Sequence, residues 1–346
     1  MRYKRILIWE VNWIGDVLFS TPFIKAIRDK FPKAHIAVIT VPRCKEILDV
    51  NPNVDEVLVY DEKNIHRNII DKWRIIHKLR LRHFDVVFLL HRSLTRTIIT
   101  YLSGIKQRIG YSYRKRDIFL THRIKNPIAS QHRIEYFLGL ARKVGADVAF
   151  KGLEFYSTKE DISKMEQFLT MHKVKNGDKV IAVNPGGNWN SKRWPVKKFA
   201  GLCDRMIKEL GVKVIVTGAE KDVDIYLEIQ DMMDEKLISA CGKTTLRQLG
   251  ALFSKCDIVI SADSGPMHVA LAVGAKVISL FGPTSPAITG PYGNGEYVVI
   301  QKDVGCRIPC YNLKCMDLRC MDSIEVDDVI QEAKRMARKA KSVDRK

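Results

Sequence analysis

Short apolar runs rich in valine, isoleucine and leucine alternate along the chain with longer segments in which apolar residues recur three and four positions apart. The continuous runs predict parallel strands that are buried on both faces, and the spaced pattern predicts amphipathic helices. Such alternation is typical of an α/β fold with helices on both faces of a parallel sheet. Because the pattern restarts near residue 179, we expect two successive doubly wound units.

In the first half, the predicted strands span residues 5–9, 35–40, 57–60, 84–90 and 108–111, and the predicted helices span 17–31, 65–81, 95–102 and 133–144. The helix at 65–81 is basic and amphipathic. Residues 111–131 are basic, aromatic and weakly periodic, so a loop region facing a ligand or a membrane is predicted there. Residues 145–158 have a looser pattern, which indicates a link between domains.

In the second half, the predicted strands span residues 179–184, 213–217, 237–239, 257–261, 276–281 and 298–300, and the predicted helices span 195–210, 222–233, 245–253 and 269–273, with a last helix from 326. The expected domains are an N-terminal domain of residues 1–158, a C-terminal domain of 159–325 and a basic C-terminal helix of 326–346. Neither half has Gly-x-Gly-x-x-Gly after its first strand, and the chain has no P-loop motif. A dinucleotide-dependent oxidoreductase and a P-loop NTPase are therefore disfavoured.

The chain is strongly basic, with 58 Lys and Arg against 39 Asp and Glu and a formal net charge of +19. This excess favours an anionic partner, namely nucleic acid, an acidic membrane surface or a phosphorylated substrate. The basic residues are concentrated in one internal stretch and again at the last helix: Lys106, Arg108, Arg114, Lys115, Arg116, Arg123, Lys125 and Arg133, then Lys334, Arg335, Arg338, Lys339, Lys341, Arg345 and Lys346. Taken singly, each is more simply explained as solvated surface.

The sequence has no apolar run of about 18 or more residues, so no transmembrane helix is expected. The first apolar run, 6–9, is too short for a signal peptide and is broken by Glu10. We therefore expect a cytoplasmic protein.

Residues 261–270, Ser-Ala-Asp-Ser-Gly-Pro-Met-His-Val-Ala, join a buried strand to an apolar helix. Ligands of open α/β sheets bind at the carboxyl ends of strands, and a helix N-terminus offers free N–H groups to a phosphate. Ser264 is a suitable N-cap residue, and Gly265 lets a ligand approach the backbone closely. By itself this stretch is better explained as an ordinary strand–turn–helix junction.

Four stretches together resemble glycosyltransferase family 9, the bacterial lipopolysaccharide heptosyltransferases, and especially its heptosyltransferase II branch. They are Asn12-Trp13-Ile14-Gly15-Asp16, then Asn184-Pro185-Gly186-Gly187 with Lys192-Arg193-Trp194-Pro195, then Thr217-Gly218-Ala219-Glu220, and finally Asp263-Ser264-Gly265-Pro266-Met267-His268 with Gly282-Pro283-Thr284. Each is weak alone, but their order and their positions at strand ends make the set specific.

The resemblance implies the GT-B fold, in which two Rossmann-like doubly wound parallel-sheet domains face a central cleft. The first domain holds the acceptor and the second the nucleotide-sugar donor. The implied reaction moves heptose from ADP-heptose to the inner core of lipopolysaccharide with inversion of the anomeric carbon and no metal ion. The implied partners are the nucleotide sugar, the anionic lipopolysaccharide core acceptor and, by electrostatic association, the cytoplasmic face of the inner membrane.

The same resemblance implies a role for individual residues. Asp16 is the implied general base, since a sugar hydroxyl must lose its proton as it attacks; without the family, Asp16 is more simply a residue that caps the first helix. Lys192 is implied to stabilise the departing diphosphate. The implied donor-binding residues are Gly186, Gly187, Arg193, Glu220, Asp263, Ser264, Gly265, Met267, His268 and Thr284, and the implied acceptor-binding residues are Trp13, Gly15, Arg114 and Arg116. His268 is nearly as well explained as a packed core histidine, and Arg193 as a solvated side chain.

The cysteines fall into two groups. Cys44, Cys203, Cys241 and Cys256 are scattered, which is typical of buried free thiols in a cytoplasmic protein. Cys306, Cys310, Cys315 and Cys320 are close enough in sequence to bind zinc or an Fe–S cluster, but they lack the Cys-x-x-Cys spacing of common zinc sites. Reduced or partly packed thiols are favoured, a structural metal is the alternative, and no cofactor is expected.

Other functions stay open at this stage. The nearest alternative is a family 9 enzyme that uses another nucleotide sugar or acceptor, followed by a GT-B-like nucleotide-sugar epimerase. From a different class, the charge alone is compatible with a nucleic-acid-binding protein. The chain has no recognisable RNA- or DNA-binding motif, so no nucleic acid partner is expected.

Overall fold

The structure is a computed structural model that describes residues 3–128, 130–149, 152–187, 189–310, 312 and 314–338. The chain divides into two compact units, Met1–Phe155 and Tyr156–Lys346. The basic residues Lys339, Lys341, Arg345 and Lys346 of the predicted terminal run lie outside the described residues.

The first unit is built on a parallel sheet with the strand order β3-β2-β1-β4-β5-β6. Its strands are β1 (Arg5–Trp9), β2 (His35–Thr40), β3 (Glu56–Val59), β4 (Val86–Leu89), β5 (Gln107–Tyr111) and β6 (His122–Ile124). The central strand β1 pairs on both sides, with Leu7 opposite Ala37 of β2 and Val87 of β4. Its side chains after Arg5 are buried, which explains why a continuous apolar run predicted it.

Helices cover both faces of this sheet, as the alternation of the sequence predicts. They are α1 (Ile14–Lys30), the short α2 (Lys45–Leu48), α3 (Ile69–Arg80), α4 (Leu94–Leu102) and α5 (Arg133–Arg142). The inner face of α3, formed by Ile75, Ile76 and Leu79, enters a core that also contains Ile99 of α4. The side chains of Asn68 and Ser93 cap α3 and α4 by accepting from backbone N–H groups of the first turn.

The prediction of a loop over residues 111–131 is wrong in part. Arg114–Phe119 forms a 3-10 helix, and β6 adds a sixth strand at the sheet edge. In β6, only Ile124 is buried, and His122 pairs with Ile109 of β5. One buried residue in a three-residue edge strand leaves no periodicity in the sequence, so this strand could not be recognised there.

The second unit repeats the design with the order β12-β11-β10-β7-β8-β9. Its strands are β7 (Val180–Asn184), β8 (Lys213–Val216), β9 (Ile238–Ser239), β10 (Ile258–Ala262), β11 (Lys276–Leu280) and β12 (Tyr297–Ile300). Numbered within its own unit, this is the strand order of the first sheet. In each sheet the first and fourth strands of the unit are therefore neighbours, and the strand order reverses between them.

The helices of the second unit include three segments that the sequence pattern does not predict, at residues 159–171, 286–289 and 319–322. They are α6 (Lys159–Met171), α7 (Val196–Leu210), α8 (Val223–Asp231), α9 (Leu246–Lys255), α10 (Gly265–Ala272), the short α11 (Pro286–Thr289) and α12 (Arg319–Asp322), and α13 (Val326–Arg338). Helix α6 was missed because it buries little, but Thr158 and Asp161 form a capping box at its start. Helix α10 begins at Gly265, four positions before the predicted 269, because Pro266 is well suited to a first helical turn.

Helix α13 belongs to the core of the second unit. Val329, Ile330, Ala333 and Met336 are fully buried there, together with residues of α7 and the sheet. The Nζ of Lys276 in β11 donates to the carbonyl of Met336 at 3.0 Å, which ties the end of the helix to the sheet. Among the described residues, none of the helices has both the length and the apolar character needed to cross a bilayer.

Candidate active site

Asp16 lies in the first turn of α1, directly after the turn that follows β1. A carboxylate there is favoured by the positive end of the helix dipole. Its Oδ1 is 4.0 Å from the Nε of Arg133, the first residue of α5, and the two side chains are 27% and 43% exposed. The carboxylate is therefore partly exposed and lies near a cation at the carboxyl edge of the first sheet.

Trp13 and Gly15, both predicted to bind the acceptor, flank this start of α1. Trp13 is the N-cap residue, and half of its surface is exposed. The guanidinium of Arg43 lies 4.3 Å from its ring centroid, and the Nε of Arg43 donates to the carbonyl of Asn12 at 2.8 Å. No motif in the sequence marks Arg43, whose stacking and hydrogen bond fix this turn.

Two buried side chains that the sequence did not single out lie beneath the turn. Arg96 of α4 donates to the carbonyl of Glu10 at 3.0 Å, to Oδ1 of Asn12 at 2.8 Å and to Glu62 at 2.8 Å. Glu10 is itself fully buried. Burial raises the pKa of Glu10 to about 8, with a smaller contribution from the charge of Asp16. The turn that carries Asp16 therefore rests on a neutral carboxyl group and a buried guanidinium.

The two arginines predicted to bind the acceptor have different surroundings. Arg114 is exposed, with its guanidinium 5.0 Å from the ring centroid of Tyr113. Arg116 is only 1% exposed and donates to the carbonyls of His91 and Tyr111, both at 2.6 Å. The prediction for Arg116 is therefore wrong in its physical basis, because a guanidinium enclosed by backbone carbonyls holds the chain together and does not face a ligand.

In the second unit, three predicted residues meet at the carboxyl edge of the sheet. The Nζ of Lys192 donates to Oδ2 of Asp263 at 2.6 Å, and the Oγ1 of Thr284 donates to the same oxygen at 2.7 Å. Asp263 follows β10, Thr284 follows β11, and Lys192 lies between β7 and α7. The ring of Trp189 lies 4.5 Å from the Nζ of Lys192. We refer to Lys192, Asp263 and Thr284 as the switch-point cluster.

Gln301, which the sequence did not indicate, stabilises the loop that carries Thr284 of this cluster. Its Nε2 donates to the carbonyls of Gly282 and Thr284 at 3.0 and 2.9 Å. Gln301 follows the edge strand β12 and has no neighbouring motif that would mark it. Its contacts fix the loop that presents the Thr284 hydroxyl.

The turn after β7 is held by an amide that bridges two strands. The Nδ2 of Asn184 lies 3.3 Å from the carbonyl of Gly186 and 3.5 Å from the hydroxyls of Ser261 and Ser264. Ser264 is the N-cap residue of α10, but its side chain bonds Ser261 instead of the helix N–H groups. The first-turn N–H groups of α10, which include those of Gly265 and Met267, thus donate no hydrogen bond to the capping side chain.

The two predicted glycines of this turn differ in how much space a side chain would have. A Cβ on Gly186 would lie 2.7 Å from the buried carboxylate of Asp222, whereas a Cβ on Gly187 would have only Arg193 within 4 Å, at 3.9 Å. The guanidinium of Arg193 donates from Nε and Nη2 to the carbonyl of Gly187 at 3.1 and 2.8 Å. Arg193 is therefore partly buried and stabilises the turn, and it is not simply a solvated side chain.

The remaining predicted donor residues divide by exposure. Glu220 is exposed after β8 and lies against Gly242, where a Cβ would come within 2.1 Å of its Oε2. The side chains of Met267 and His268 are buried in the unit. Burial of its side chain leaves the backbone N–H as the only group of Met267 to which the predicted donor contact can apply.

The clustered cysteines are separate thiols in the structure. Cys306 is exposed, and Cys310, Cys315 and Cys320 are partly buried. Burial raises the pKa of the Cys320 thiol, and Cys306 and Cys315 add to that increase. Among the described residues, no group of three or more His, Cys, Asp or Glu side chains has an arrangement that would hold a metal ion.

Comparison with known proteins gives a consistent result. The model of glycosyltransferase family 9 (heptosyltransferase) matches residues 72–316. The chain is 27% identical to lipopolysaccharide heptosyltransferase 2 of Salmonella typhimurium over 305 residues, which cover 85% of this chain and 87% of the relative. It is 26% identical to a lipopolysaccharide core heptosyltransferase of Haemophilus influenzae, with 96% and 97% covered.

Solved structures agree with the sequence comparison. A family 9 glycosyltransferase from Veillonella parvula has a TM-score of 0.91 at 26% identity, with 97% of this chain and 98% of that chain covered. An ADP-heptose lipopolysaccharide heptosyltransferase II from E. coli has a TM-score of 0.79 at 23% identity, with 96% and 98% covered. Together with the two parallel sheets, these likenesses confirm the predicted GT-B fold class of two Rossmann-like units.

Proposed function

The chain belongs to glycosyltransferase family 9, and from that premise we propose that it transfers heptose from ADP-heptose to the inner core of lipopolysaccharide, with inversion and without a metal ion. The observation that carries the proposal is the switch-point cluster, in which the ammonium of Lys192 pairs with Asp263, the residue before the N-cap residue of α10. The two relatives named above are lipopolysaccharide heptosyltransferases, which favours the same donor and acceptor.

The second unit would bind the donor at the reversal of strand order between β7 and β10. The N–H groups of Gly265 and Met267 and the uncrowded backbone at Gly187 suit a diphosphate, and Gly186 would let the turn that carries them pack closely against Asp222. Exposed Glu220 would accept hydrogen bonds from ribose hydroxyls. His268 would act from within the unit by packing behind the helix start.

Lys192 would stabilise the leaving group. As the bond between the anomeric carbon and the diphosphate breaks, negative charge accumulates on the phosphate oxygens, and a fixed ammonium is most effective there. In the structure this ammonium is held by Asp263, which Thr284 also contacts. A bound diphosphate would compete for the ammonium and leave Asp263 and Thr284 to bind donor sugar hydroxyls.

Asp16 would act as the general base in the first unit. In a single displacement with inversion, the acceptor hydroxyl attacks the anomeric carbon while its proton passes to the carboxylate. The position of Asp16 in the first turn of α1 leaves the carboxylate partly exposed. Trp13, Gly15 and Arg114 are the proposed acceptor contacts, and the basic surface of this unit would associate with the cytoplasmic face of the inner membrane.

The test is release of ADP from ADP-heptose in the presence of a heptose-deficient lipopolysaccharide acceptor. We expect acceptor-dependent release by the wild type and a fall of about 10²–10⁴-fold in Asp16→Asn, because a positioned base contributes that much. Donor affinity should stay unchanged in this variant. The matched control is Asp29→Asn, which alters an exposed carboxylate of the same helix that pairs with Lys25.

The outcomes separate the parts of the proposal. Equal rates in the wild type and Asp16→Asn would show that Asp16 is not the general base, and the proposed transfer reaction would still stand. No release by the wild type, with ADP still bound, would replace heptose or this acceptor by another sugar or acceptor of the family. Strong salt-dependent binding to generic DNA without turnover would overturn the enzymatic proposal.

A further inference from the structure

Helix α3 presents apolar side chains on its inner and outer faces. The inner face enters the core of the first unit, as Ile75, Ile76 and Leu79 show. The outer face has a second apolar stripe at helical spacing, made of Ile70, Trp73 and Leu81 with His77 between them. Trp73 is 53% exposed, and Ile70 and Leu81 are more so. The inner face joins α3 to the fold, whereas the outer stripe is largely exposed in the part of the chain that the structure describes.

The outer stripe is bordered by basic residues. Residues 65–81 contain five basic side chains (Arg67, Lys72, Arg74, Lys78 and Arg80) and one acidic side chain (Asp71), a formal net charge of +4. Asp71 is already paired with Arg74 at 2.8 Å. A shallow depression of ≈ 550 Å³ runs along the stripe and is lined by both kinds of residue, with Trp73 and Leu81 beside Lys78 and Arg82.

The same surface continues onto neighbouring elements. The guanidinium of Arg80 donates to the carbonyl of Leu102 at the end of α4, at 2.7 Å. On α4, Tyr101 is half-exposed and lies 5.2 Å from the guanidinium of Arg108, and on the adjacent 3-10 helix Ile118 is 73% exposed. Exposed apolar side chains among cations thus extend over α3, α4 and the 3-10 helix Arg114–Phe119. We call this the α3–α4 face.

From this pattern we propose that the α3–α4 face is the membrane-docking surface of the protein, on which the Ile70–Trp73–Leu81 stripe enters the interface of an anionic phospholipid layer while the flanking cations bind the head groups. Apolar residues on one side of a basic amphipathic helix are typical of helices that lie in the plane of a bilayer. Each Lys or Arg near such a surface adds to the attraction, and Trp favours the boundary between acyl chains and water.

The charge of this face argues against a second copy of the chain as its partner. Two copies of the chain would bring two strongly basic faces together, and like charges in contact oppose association. An anionic lipid surface removes that repulsion and also covers the apolar stripe. The lipid surface therefore satisfies both features of the face.

The position of α3 agrees with the proposed acceptor, and to this extent the inference rests on the proposed function. Glu62, which precedes α3, accepts from the same Arg96 that binds Asn12 in the turn before Asp16. The segment that leads into α3 therefore reaches the edge of the sheet that carries Asp16. A docked α3 would keep this edge near a membrane-anchored acceptor.

Vesicle binding tests the surface without turnover. Flotation would be measured with vesicles of phosphatidylethanolamine containing about 30 mol % phosphatidylglycerol and with neutral phosphatidylcholine vesicles. We expect the wild type to bind the anionic vesicles, with a blue shift of Trp73 fluorescence that is absent in Trp73→Phe. Ile70→Ser/Trp73→Ser should lower partitioning by at least about tenfold, because the apolar contribution is lost. Arg74→Gln/Lys78→Gln should weaken binding and its dependence on salt.

A matched control distinguishes the face from apolar exposure in general. Met171→Ser removes a side chain of the second unit that is 73% exposed, and it should not alter vesicle binding. The Ile70→Ser/Trp73→Ser variant should keep full activity on a soluble, deacylated acceptor and lose activity on the vesicle-embedded one. Its unchanged thermal unfolding would show that the fold is intact.

Three results would overturn the inference: no binding of the wild type to anionic vesicles, unchanged binding of Ile70→Ser/Trp73→Ser, or self-association of the wild type that this variant abolishes. The last would assign the face to a second copy of the chain. Failure of every protein on the soluble acceptor would instead count against the proposed function, while the vesicle-binding result would still decide the docking surface.

Discussion

Replacing Glu10 by glutamine should stabilise the protein, and the gain should increase with pH. The carboxyl group is fully buried, and its pKa is about 8 against a reference of 4.5. Between these values the unfolded chain releases the proton while the folded chain retains it. The free energy of unfolding of the wild type therefore falls as pH rises through this window. At pH 7 this difference in proton binding lowers the free energy of unfolding of the wild type by about 3 kcal/mol. The figure is the product of 1.36 kcal/mol per unit and the 2.5 units that separate pH 7 from the reference pKa of 4.5.

The hydrogen bonds around Glu10 support a neutral carboxyl group. The Ser20 hydroxyl is 2.8 Å from Oε1 of Glu10 and 2.7 Å from the carbonyl of Val17. A hydroxyl has one proton, so it cannot donate to both acceptors. If Glu10 is protonated, it donates to Ser20, Ser20 donates to Val17, and Oε2 accepts from the N–H of Val11 at 3.2 Å. A glutamine amide can reproduce every one of these bonds.

The assay is urea unfolding of the wild type and Glu10→Gln at pH 5, 6, 7 and 8. We expect a small difference at pH 5 that grows to about 3 kcal/mol at pH 7 and somewhat more at pH 8. Glu160→Gln is the control, because this exposed carboxylate pairs only with Lys164 across one turn of α6. A constant difference between the wild type and Glu10→Gln from pH 5 to pH 8 would refute the reasoning, since it would mean that Glu10 does not retain its proton on folding.

Three further substitutions address the site. Lys192→Met should lower kcat for ADP release by about 10–10³-fold and weaken ADP binding measured by calorimetry, since the ammonium beside Asp263 is lost. Gly186→Ala should reduce the free energy of unfolding by about 1–3 kcal/mol in urea titrations, because its Cβ would overlap the Asp222 carboxylate. Arg133→Gln should raise the KM for the anionic acceptor several-fold without changing the KM for the donor, because this cation lies beside Asp16.

Each of these has a neighbour that serves as its control. Lys197→Met alters an exposed lysine five positions along the same segment, and it should leave ADP binding unchanged. Gly187→Ala adds a Cβ with only one atom within 4 Å, at 3.9 Å, so equal destabilisation by both glycine substitutions would contradict the steric argument. Arg142→Gln removes a cation of similar exposure from α5 that pairs with Glu135. An equal rise in the acceptor KM of Arg142→Gln would mean that Arg133 acts only through the overall positive charge of the protein.

The architecture was predictable because its strands bury both faces. Runs such as Ile6–Trp9 and Ile258–Ala262 have no exposed position, so hydrophobicity alone identifies them. The edge strand β6 and the helix α6 bury too little to be recognised in this way. Their assignments depend on backbone pairing and capping bonds.

The site shows the same division. Lys192, Asp263 and Thr284 were predicted from separate motifs, and the structure brings them to one carboxylate oxygen. Arg116 was misjudged because a basic stretch does not reveal that one of its members is enclosed. Glu10 and Arg96 are 86 residues apart, so their contact beneath the Asp16 turn depends on the tertiary fold.

The packing of α13 has a consequence for the order of events during synthesis. The first unit contains its whole sheet once residue 155 has left the ribosome. The second unit cannot complete its core until residues 326–338 have emerged, because Val329, Ile330, Ala333 and Met336 fill that core. At about 5–20 residues per second the nascent second sheet remains open for several seconds or more beside an already folded neighbour. During this interval the chain depends most on chaperones. A chain whose synthesis ends before residue 326 would have only its first unit folded.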